Sequence, residues 1–189
     1  MEAPFLTPIE KPKGLWGKFL YFYSKRKFGK VMTPLKVMAS RMPPGFAAFS
    51  GKIGQLDNKL QLSPETVMLV RQKVAEINVC LFCIDIGRSK TIASSMDQAK
   101  FDELADYQTS SRFSVKEKAL LDFVARLARD KKMEKDLFDK LAGYYSEREI
   151  CEVVWIVATE FYYNISNIGL NIHSDMLCDI AKMRKNQTA

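Results

Sequence analysis

The stretch AEINVCLFCIDIGRSK, residues Ala75–Lys90, places Cys80 and Cys83 three positions apart in an otherwise apolar run. Side chains at positions i and i+3 of a helix lie on one face, so the two sulfurs can form a disulfide after a local adjustment. If the chain breaks at Cys80, the N-terminus of the next helix should lower the pKa of the Cys83 thiol. The resulting thiolate can attack a hydroperoxide, and the neighbouring thiol can then close the disulfide. The spacing also fits half of a zinc site or two small core residues.

A zinc site would need further ligands elsewhere in the chain. The other two cysteines, Cys151 and Cys178, and the single histidine, His173, form no second closely spaced set. We therefore expect no metal ion and no other cofactor. The choice that stays open is between a redox pair and two buried cysteines that act as small apolar residues.

The composition is that of an ordinary globular domain. The chain has 189 residues, of which 47% are hydrophobic and 27% charged, enough to bury one core. No run of apolar residues is long enough to cross a membrane, so we expect no integral membrane segment. The first residues contain an early acid and no continuous apolar segment, which favours the cytoplasm over secretion. A close cysteine pair in that compartment is more often catalytic or metal-binding than structural.

Basic and aromatic residues alternate near the start of the chain, and the formal net charge is +7. No nucleic-acid-binding signature accompanies this charge, so we predict no nucleic-acid partner. We interpret residues 1–32 as an arm that packs its aromatic side chains on a partner. Residues 33–181 are then the helical domain, and residues 182–189 are a tail.

The apolar pattern is helical nearly throughout, which predicts an all-α fold. Two capping boxes, at Ser114 and at Ser146, mark helix starts ahead of apolar runs. The helix after Ser146 is apolar almost all round, which is typical of a bundle centre or a subunit interface. The predicted helices are Leu15–Lys27, one from Thr33, one from Ser63 that continues past the cysteines with a kink, Asp97–Tyr107, one from Ser114, Glu134–Ala142 and one from Ser146.

Four segments together resemble the carboxymuconolactone decarboxylase family. They are VRQKVAEINVCLFCIDIG, DQAKFDELADY, FSVKEKALLDFVARLARD and SEREICEVVWIVATEFYYNISNIGLNI. The resemblance covers roughly residues 34–175 and rests on the helix order, the acid-rich start of the last long helix and its YNISN segment. The alkyl hydroperoxidase D branch of the family carries its CxxC motif at this place.

The resemblance implies an alkyl hydroperoxidase D-like helical bundle that assembles as a trimer or a hexamer. It also implies that Cys83 attacks the peroxide, that Cys80 resolves the product, and that an external thiol reduces the pair again. The family's usual proton relay is missing, however. The glutamate twelve residues before the first cysteine is Met68, the histidine four residues after the second is Gly87, and a histidine between the cysteines is Phe82.

Another group must therefore activate Cys83 and protonate the leaving oxygen. Glu76 lies one turn before Cys80 and is our candidate, with a solvated surface charge as the alternative. Other candidates, for which the surface interpretation is favoured, are Glu65, Asp85 and His173.

Two hypotheses about function follow. The first is a thiol-dependent oxidoreductase that reduces hydroperoxides in antioxidant defence. The second is a non-redox family member that binds or decarboxylates a small organic molecule. Arg71 and Arg88 flank the motif, but we expect them to face solvent. Gly87 inside a helix costs about 1 kcal/mol relative to alanine, so we expect a close backbone contact or room for a substrate there.

Overall fold

The computed structural model describes residues 2–188, apart from the side chains of residues 44 and 188. Within these residues the chain forms nine α-helices and one π-helical turn, and no strand, so the predicted all-α class is confirmed. The elements are α1 (Gly14–Phe28), the π-helical turn (Leu35–Ala39), α2 (Pro44–Asp57), α3 (Pro64–Ile77), α4 (Leu81–Ala93), α5 (Gln98–Asp102), α6 (Val115–Asp130), α7 (Lys135–Ala142), α8 (Glu147–Ile168) and α9 (Leu177–Thr188).

Helix α3 lies at the centre of the bundle. It packs against α4, α6 and α8, while α4 packs against α9. Apolar residues at helical spacing on three helices meet in one core, because each helix buries the face that its sequence periodicity defines. The core includes Val70, Val74, Leu120, Val124, Val153 and Ile156. Both predicted capping boxes are present, at Ser114 with Glu117 and at Ser146 with Glu149.

The chain breaks completely between α3 and α4, where the sequence predicted a continuous but kinked helix. Val79 adopts a left-handed conformation with φ 55°. The Cys80 amide donates to the Ala75 carbonyl, and the Val79 amide donates to the Glu76 carbonyl. These are the two hydrogen bonds of a Schellman motif, which usually carries glycine at the left-handed position. Because valine rather than glycine occupies this position, no residue marked the end of the helix at the level of the sequence.

Two further predictions differ from the structure. Helix α2 was not predicted, because its several glycines and its prolines read as a loop. The helix predicted for Asp97–Tyr107 is helical only over Gln98–Asp102, and turns follow it up to residue 109.

Helix α1 rests on the rest of the molecule with one face. The Tyr21 hydroxyl donates to the Ile9 carbonyl at 2.6 Å, and the Arg184 guanidinium donates to the Lys27 carbonyl at 3.1 Å. The boundaries predicted at residues 32 and 181 stay predictions. Met1, the first residue of the predicted arm, and Ala189, the last residue of the predicted tail, lie outside the described residues. Among the described residues, no helix is long and apolar enough to span a bilayer.

Candidate active site

The two cysteines of the motif are joined by a disulfide at the start of α4. Cys80 is the N-cap residue, and Cys83 is the third residue of the helix. Their Cα atoms are 5.3 Å apart, within the usual range for a disulfide. The break between α3 and α4 therefore places Cys83 in the first turn, where the helix dipole favours a thiolate once the bond is reduced.

The two sulfurs differ in what they face. Both residues are buried, with 1% of Cys80 and 4% of Cys83 exposed. Cys83 nevertheless lines a cavity of about 370 Å³, whereas Cys80 is not among the residues around it. The cavity lies between the π-helical turn and helices α2, α3, α4 and α8. A small molecule in it would meet Cys83 first.

Side chains from two neighbouring helices hold Cys83 in place. The Asn167 side chain on α8 donates from Nδ2 to the Cys83 Sγ at 3.4 Å. The Gln72 side chain on α3 donates from Nε2 to the Cys83 carbonyl at 3.3 Å. A hydrogen bond to sulfur favours its charged form, so Asn167 is placed to stabilise a Cys83 thiolate.

Gly87 makes room for a side chain rather than for a substrate or another backbone. A Cβ atom at this position would lie 1.7 Å from Nε2 of Gln72 and 2.6 Å from its Cδ. Gln72 is itself 1% exposed, so its amide has little space to move. Gln72 and Gly87 therefore depend on each other.

A buried ion network forms another part of the cavity wall. Arg71 pairs with Asp57 at 2.7 Å and with Glu160 at 2.9 Å. The Asp57 carboxylate also accepts from the Trp155 indole at 3.1 Å, and Glu160 accepts from Asn164 at 2.8 Å. Arg71 is thus buried, and the expectation that it faces solvent was wrong because two carboxylates neutralise it inside the fold.

Arg88 is directed away from the cavity. It is not among the lining residues, and it pairs with the Asp102 carboxylate and donates to the Phe101 carbonyl. Its side chain is 22% exposed. The two arginines that flank the motif thus have different surroundings.

Lys90 also lines the cavity, two turns of α4 beyond Cys83. Its side chain is exposed, and part of this exposed surface faces the cavity. Burial among protein atoms, with the Arg71 charge nearby, lowers the pKa of the Lys90 ammonium from its ordinary value of 10.5.

The acids proposed from the sequence lie elsewhere. Glu76 is half-buried and is not among the residues that line the cavity. Burial raises the pKa of its carboxyl, which Lys73 and Arg88 partly offset. Its catalytic role stays a prediction. Glu65 pairs with Lys100 at 2.8 Å in a salt bridge outside the cavity.

Asp85 and His173 have structural partners outside the cavity. The Asp85 carboxylate accepts hydrogen bonds from the backbone amides of Asp175, Leu177 and Cys178 at 3.0, 2.9 and 2.8 Å. It thereby satisfies the free amides at the start of α9. His173 interacts with the Asn171 side chain at 3.0 Å and does not line the cavity.

Several polar residues of the site escaped sequence reasoning, among them Gln72, Lys90, Tyr162 and Asn167. One signal was available for Lys90, since it lies seven residues after Cys83 and therefore on the same helix face. Gln72 and Asn167 gave no such signal, because their proximity to Cys83 depends on how three helices pack. Within the described part of the chain, no cluster of three or more His, Cys, Asp or Glu residues could hold a metal ion.

The helix arrangement and the cysteine pair define an alkyl hydroperoxidase D-like bundle with a CxxC disulfide beside a cavity. No protein-family model matches the chain. The chain is 25% identical over 162 residues to an uncharacterized protein of Escherichia coli K12, YnjA, across 85% of this chain and 88% of YnjA.

Solved structures share the whole fold. The debrominase Bmp8, with one cysteine replaced by alanine and in complex with 2,3,4-tribromopyrrole, matches with a TM-score of 0.78 and 17% identity, over 97% of this chain and 98% of that one. An uncharacterized peroxidase-related protein of Ralstonia eutropha JMP134, described as an alkylhydroperoxidase AhpD core, matches with a TM-score of 0.77 and 13% identity, over 96% of this chain and 97% of that one. These likenesses show the fold and are consistent with the carboxymuconolactone decarboxylase family.

Proposed function

We propose that the protein is a CxxC thiol oxidoreductase that reduces small organic hydroperoxides, as an antioxidant enzyme does. One observation carries the proposal: Cys80 and Cys83 form a disulfide at a helix start, and Cys83 alone of the two lines a cavity. The proposal gives Cys83 the role of nucleophile and Cys80 that of resolving thiol, because Cys83 is the one that lines the cavity.

The chemistry requires two thiols and no further electron source in the first half-reaction. The Cys83 thiolate attacks the terminal peroxide oxygen, an S–O bond forms, and the O–O bond breaks to release an alkoxide that takes up a proton. The Cys80 thiol then displaces water from the sulfenic acid of Cys83, which closes the disulfide. The substrate is reduced to an alcohol by two electrons, and the thiol pair is oxidised by two.

The cavity suits a small and largely apolar group. Its apolar lining includes Met38, Phe46, Phe82 and Ile86, beside the polar and charged groups described above. Pockets of roughly 300 Å³ and above hold small organic ligands. Hydrogen peroxide would fill little of this space, so the proposal favours an organic hydroperoxide.

The disulfide must be reduced in every cycle. Because Cys83 lines the cavity, an external thiolate would attack its sulfur and release Cys80. Such a cycle suits a compartment that keeps thiols reduced, so we place the protein in the cytoplasm as part of the proposal.

A second candidate function comes from the neighbour that acts as a debrominase. In such a reaction the Cys83 thiolate would take the halogen from a small halogenated ring, which then takes up a proton. Cys80 would displace the halide as the disulfide forms. As in peroxide reduction, the thiol pair gives two electrons to the substrate. The same two sulfurs can therefore carry out both reactions.

The test is to measure consumption of cumene hydroperoxide and of a brominated pyrrole by the reduced wild-type chain, while free thiols are counted. We expect Cys83→Ser to abolish consumption. Cys80→Ser should allow one turnover and then stop with a sulfenic acid on Cys83. Peroxide loss that does not depend on Cys83 would disprove the proposal, and binding of either compound without thiol loss would favour the non-redox alternative.

We also propose that the protein is a homo-oligomer, a trimer or hexamer as the resemblance implies. The outer face of α8 presents Val154, Ile165 and Ile168 with 43%, 66% and 46% exposure, at helical spacing. An apolar stripe of this kind is typical of a contact surface. Light scattering of the purified chain tests the assembly.

A further inference from the structure

Four charged side chains line the cavity, and three of them are already paired with one another. Arg71 binds Asp57 and Glu160 through two different guanidinium nitrogens. The second oxygen of each carboxylate accepts a further hydrogen bond, from Trp155 for Asp57 and from Asn164 for Glu160. Every oxygen of these two carboxylates already accepts a hydrogen bond. Neither carboxylate is therefore free to take the proton of the Cys83 thiol.

Lys90 is the fourth charged group, and its side chain has no hydrogen bond or ion pair with any residue in the described part of the chain. It lies on the same face of α4 as Cys83, about 10 Å further along the axis. Side chains of a helix tilt toward its N-terminus, so the lysine stem extends back toward Cys83. Gly87 lies between them on this face, and the Gln72 amide packs against it.

The charges around Lys90 come from four elements. Arg71 on α3 and Lys27 on α1 disfavour its ammonium form, whereas Glu160 on α8 and Asp57 on α2 favour it. The largest influence is the loss of water around the side chain, which lowers the pKa of Lys90. Its ammonium therefore gives up a proton more readily than that of an ordinary lysine.

We propose that Lys90 is the acid–base residue of the Cys83 site, an inference that rests on the proposed peroxide reduction. The neutral amine takes the proton of the Cys83 thiol. As the thiolate attacks and the O–O bond breaks, the ammonium returns that proton to the leaving alkoxide. The alcohol leaves, Lys90 is neutral again, and Cys83 carries the sulfenic acid that Cys80 resolves.

Two more polar atoms complete the site. The side-chain oxygen of Gln72 and the hydroxyl of Tyr162 are buried without a partner among the described residues, and both side chains line the cavity. Buried polar atoms usually have a partner, so this part of the cavity suits a guest with its own hydrogen-bonding groups. A hydroperoxide has one donor and two acceptor oxygens, which matches the amide oxygen, the hydroxyl and the ammonium.

The first experiment measures single-turnover thiol loss with cumene hydroperoxide, in a chain whose Cys151 and Cys178 are replaced by serine. We expect Lys90→Met to slow the step about 100-fold or more, the usual contribution of a general acid–base group. Lys132→Met, which removes an exposed lysine outside the cavity, is the matched control and should react at the wild-type rate. Equal rates for Lys90→Met and wild type would overturn the inference.

Chemical rescue separates proton transfer from a structural role. Lys90→Ala should regain activity with small primary amines, and the rescued rate should vary with the pKa of the amine. A lysine that only supports the fold would show no such dependence. Absence of any rescue, in a variant whose thermal unfolding shows that it is folded, would count against the inference.

A third measurement separates this inference from the proposed function. The pH dependence of Cys83 alkylation by iodoacetamide needs no peroxide, and Lys90→Met should shift it to higher pH. If the wild-type chain fails to reduce peroxide but this shift occurs, the proposed function fails and the role of Lys90 as the partner of the Cys83 thiol stands. An unchanged alkylation profile would remove that role, whatever the peroxide activity.

Discussion

The two sides of the cavity are built in different ways. On one side, α3, α4 and α8 hold the cysteines with buried polar contacts, including the Gln72 and Asn167 hydrogen bonds to Cys83. On the other side, α2 has glycines at positions 51 and 54, where an added Cβ would meet nothing within 4 Å. The first side, formed by α3, α4 and α8, holds the two sulfurs in place. The second side is α2, which we call the cover of the cavity.

Helix α2 is held by a small number of side chains, among them the buried Ile53. Asp57, its last residue, binds Arg71 and Trp155, and the rings of Phe46 and Phe49 approach Tyr162 with centroids 6.4 and 5.7 Å apart. A helix with interior glycines and few packed partners has a low local stability. We expect a substrate to enter past α2, because displacing it disturbs none of the contacts to Cys83.

The largest expected effect is at the ion network of Arg71, which joins α3 and α8 to the end of α2. Arg71→Met leaves two carboxylates in the interior without their cation, which should lower the free energy of unfolding by about 3–5 kcal/mol. Urea unfolding at equilibrium measures it. The matched control is Arg126→Met, whose ion pairs with Asp130 and Glu134 are exposed to solvent and should contribute far less to stability. Similar losses in the two variants would show that the network does not stabilise the fold.

A smaller loss is expected where Gly87 meets Gln72. Gly87→Ala forces the Gln72 amide out of its place and should cost about 1–3 kcal/mol, the usual range for overpacking. Adding Gln72→Ala should recover much of that loss, because the shorter side chain leaves room for the new methyl group. A double-mutant cycle of chemical denaturation measures this coupling. Strictly additive effects would mean that the two residues do not constrain each other.

The smallest effect, of opposite sign, is expected in the cover. Gly51→Ala places a methyl group in open space on a helical residue, so it should raise the free energy of unfolding by about 0.4–1 kcal/mol. The gain comes mainly from reduced freedom of the unfolded chain. Thermal and urea unfolding of Gly51→Ala and of Gly87→Ala, measured side by side, compares the two sides of the cavity directly. If Gly51→Ala also destabilises, α2 is more tightly packed than its contacts indicate.

Much of the fold could be predicted because its signals are local. The capping boxes at Ser114 and Ser146 and the apolar periodicity of α3 and α6 depend on residues within a few turns of each other. The fold also agrees with the resemblance, which used the order of four segments. The break at Cys80 was foreseen as a condition for activating Cys83, although a kinked continuous helix was expected there.

The site was harder to predict because its signals are not local. Val79 ends α3 in a conformation that β-branched residues rarely adopt, so no glycine marked the break. Arg71 looked like a surface residue, since its partners Asp57 and Glu160 lie 14 and 89 positions away. Glu76 was chosen for its place one turn before Cys80, but helix packing directs Cys83 toward a cavity that Glu76 does not line.

The amino-acid sequence by itself determined the helical class, most helix starts and the presence of a thiol pair that can form a disulfide, since these depend on spacing within single segments. Only the tertiary structure decided which sulfur meets the cavity, why position 87 must be glycine and which charged side chain lines the same cavity as Cys83 without an ion pair. Those properties depend on distances between side chains of different helices, and such distances exist only after the helices pack.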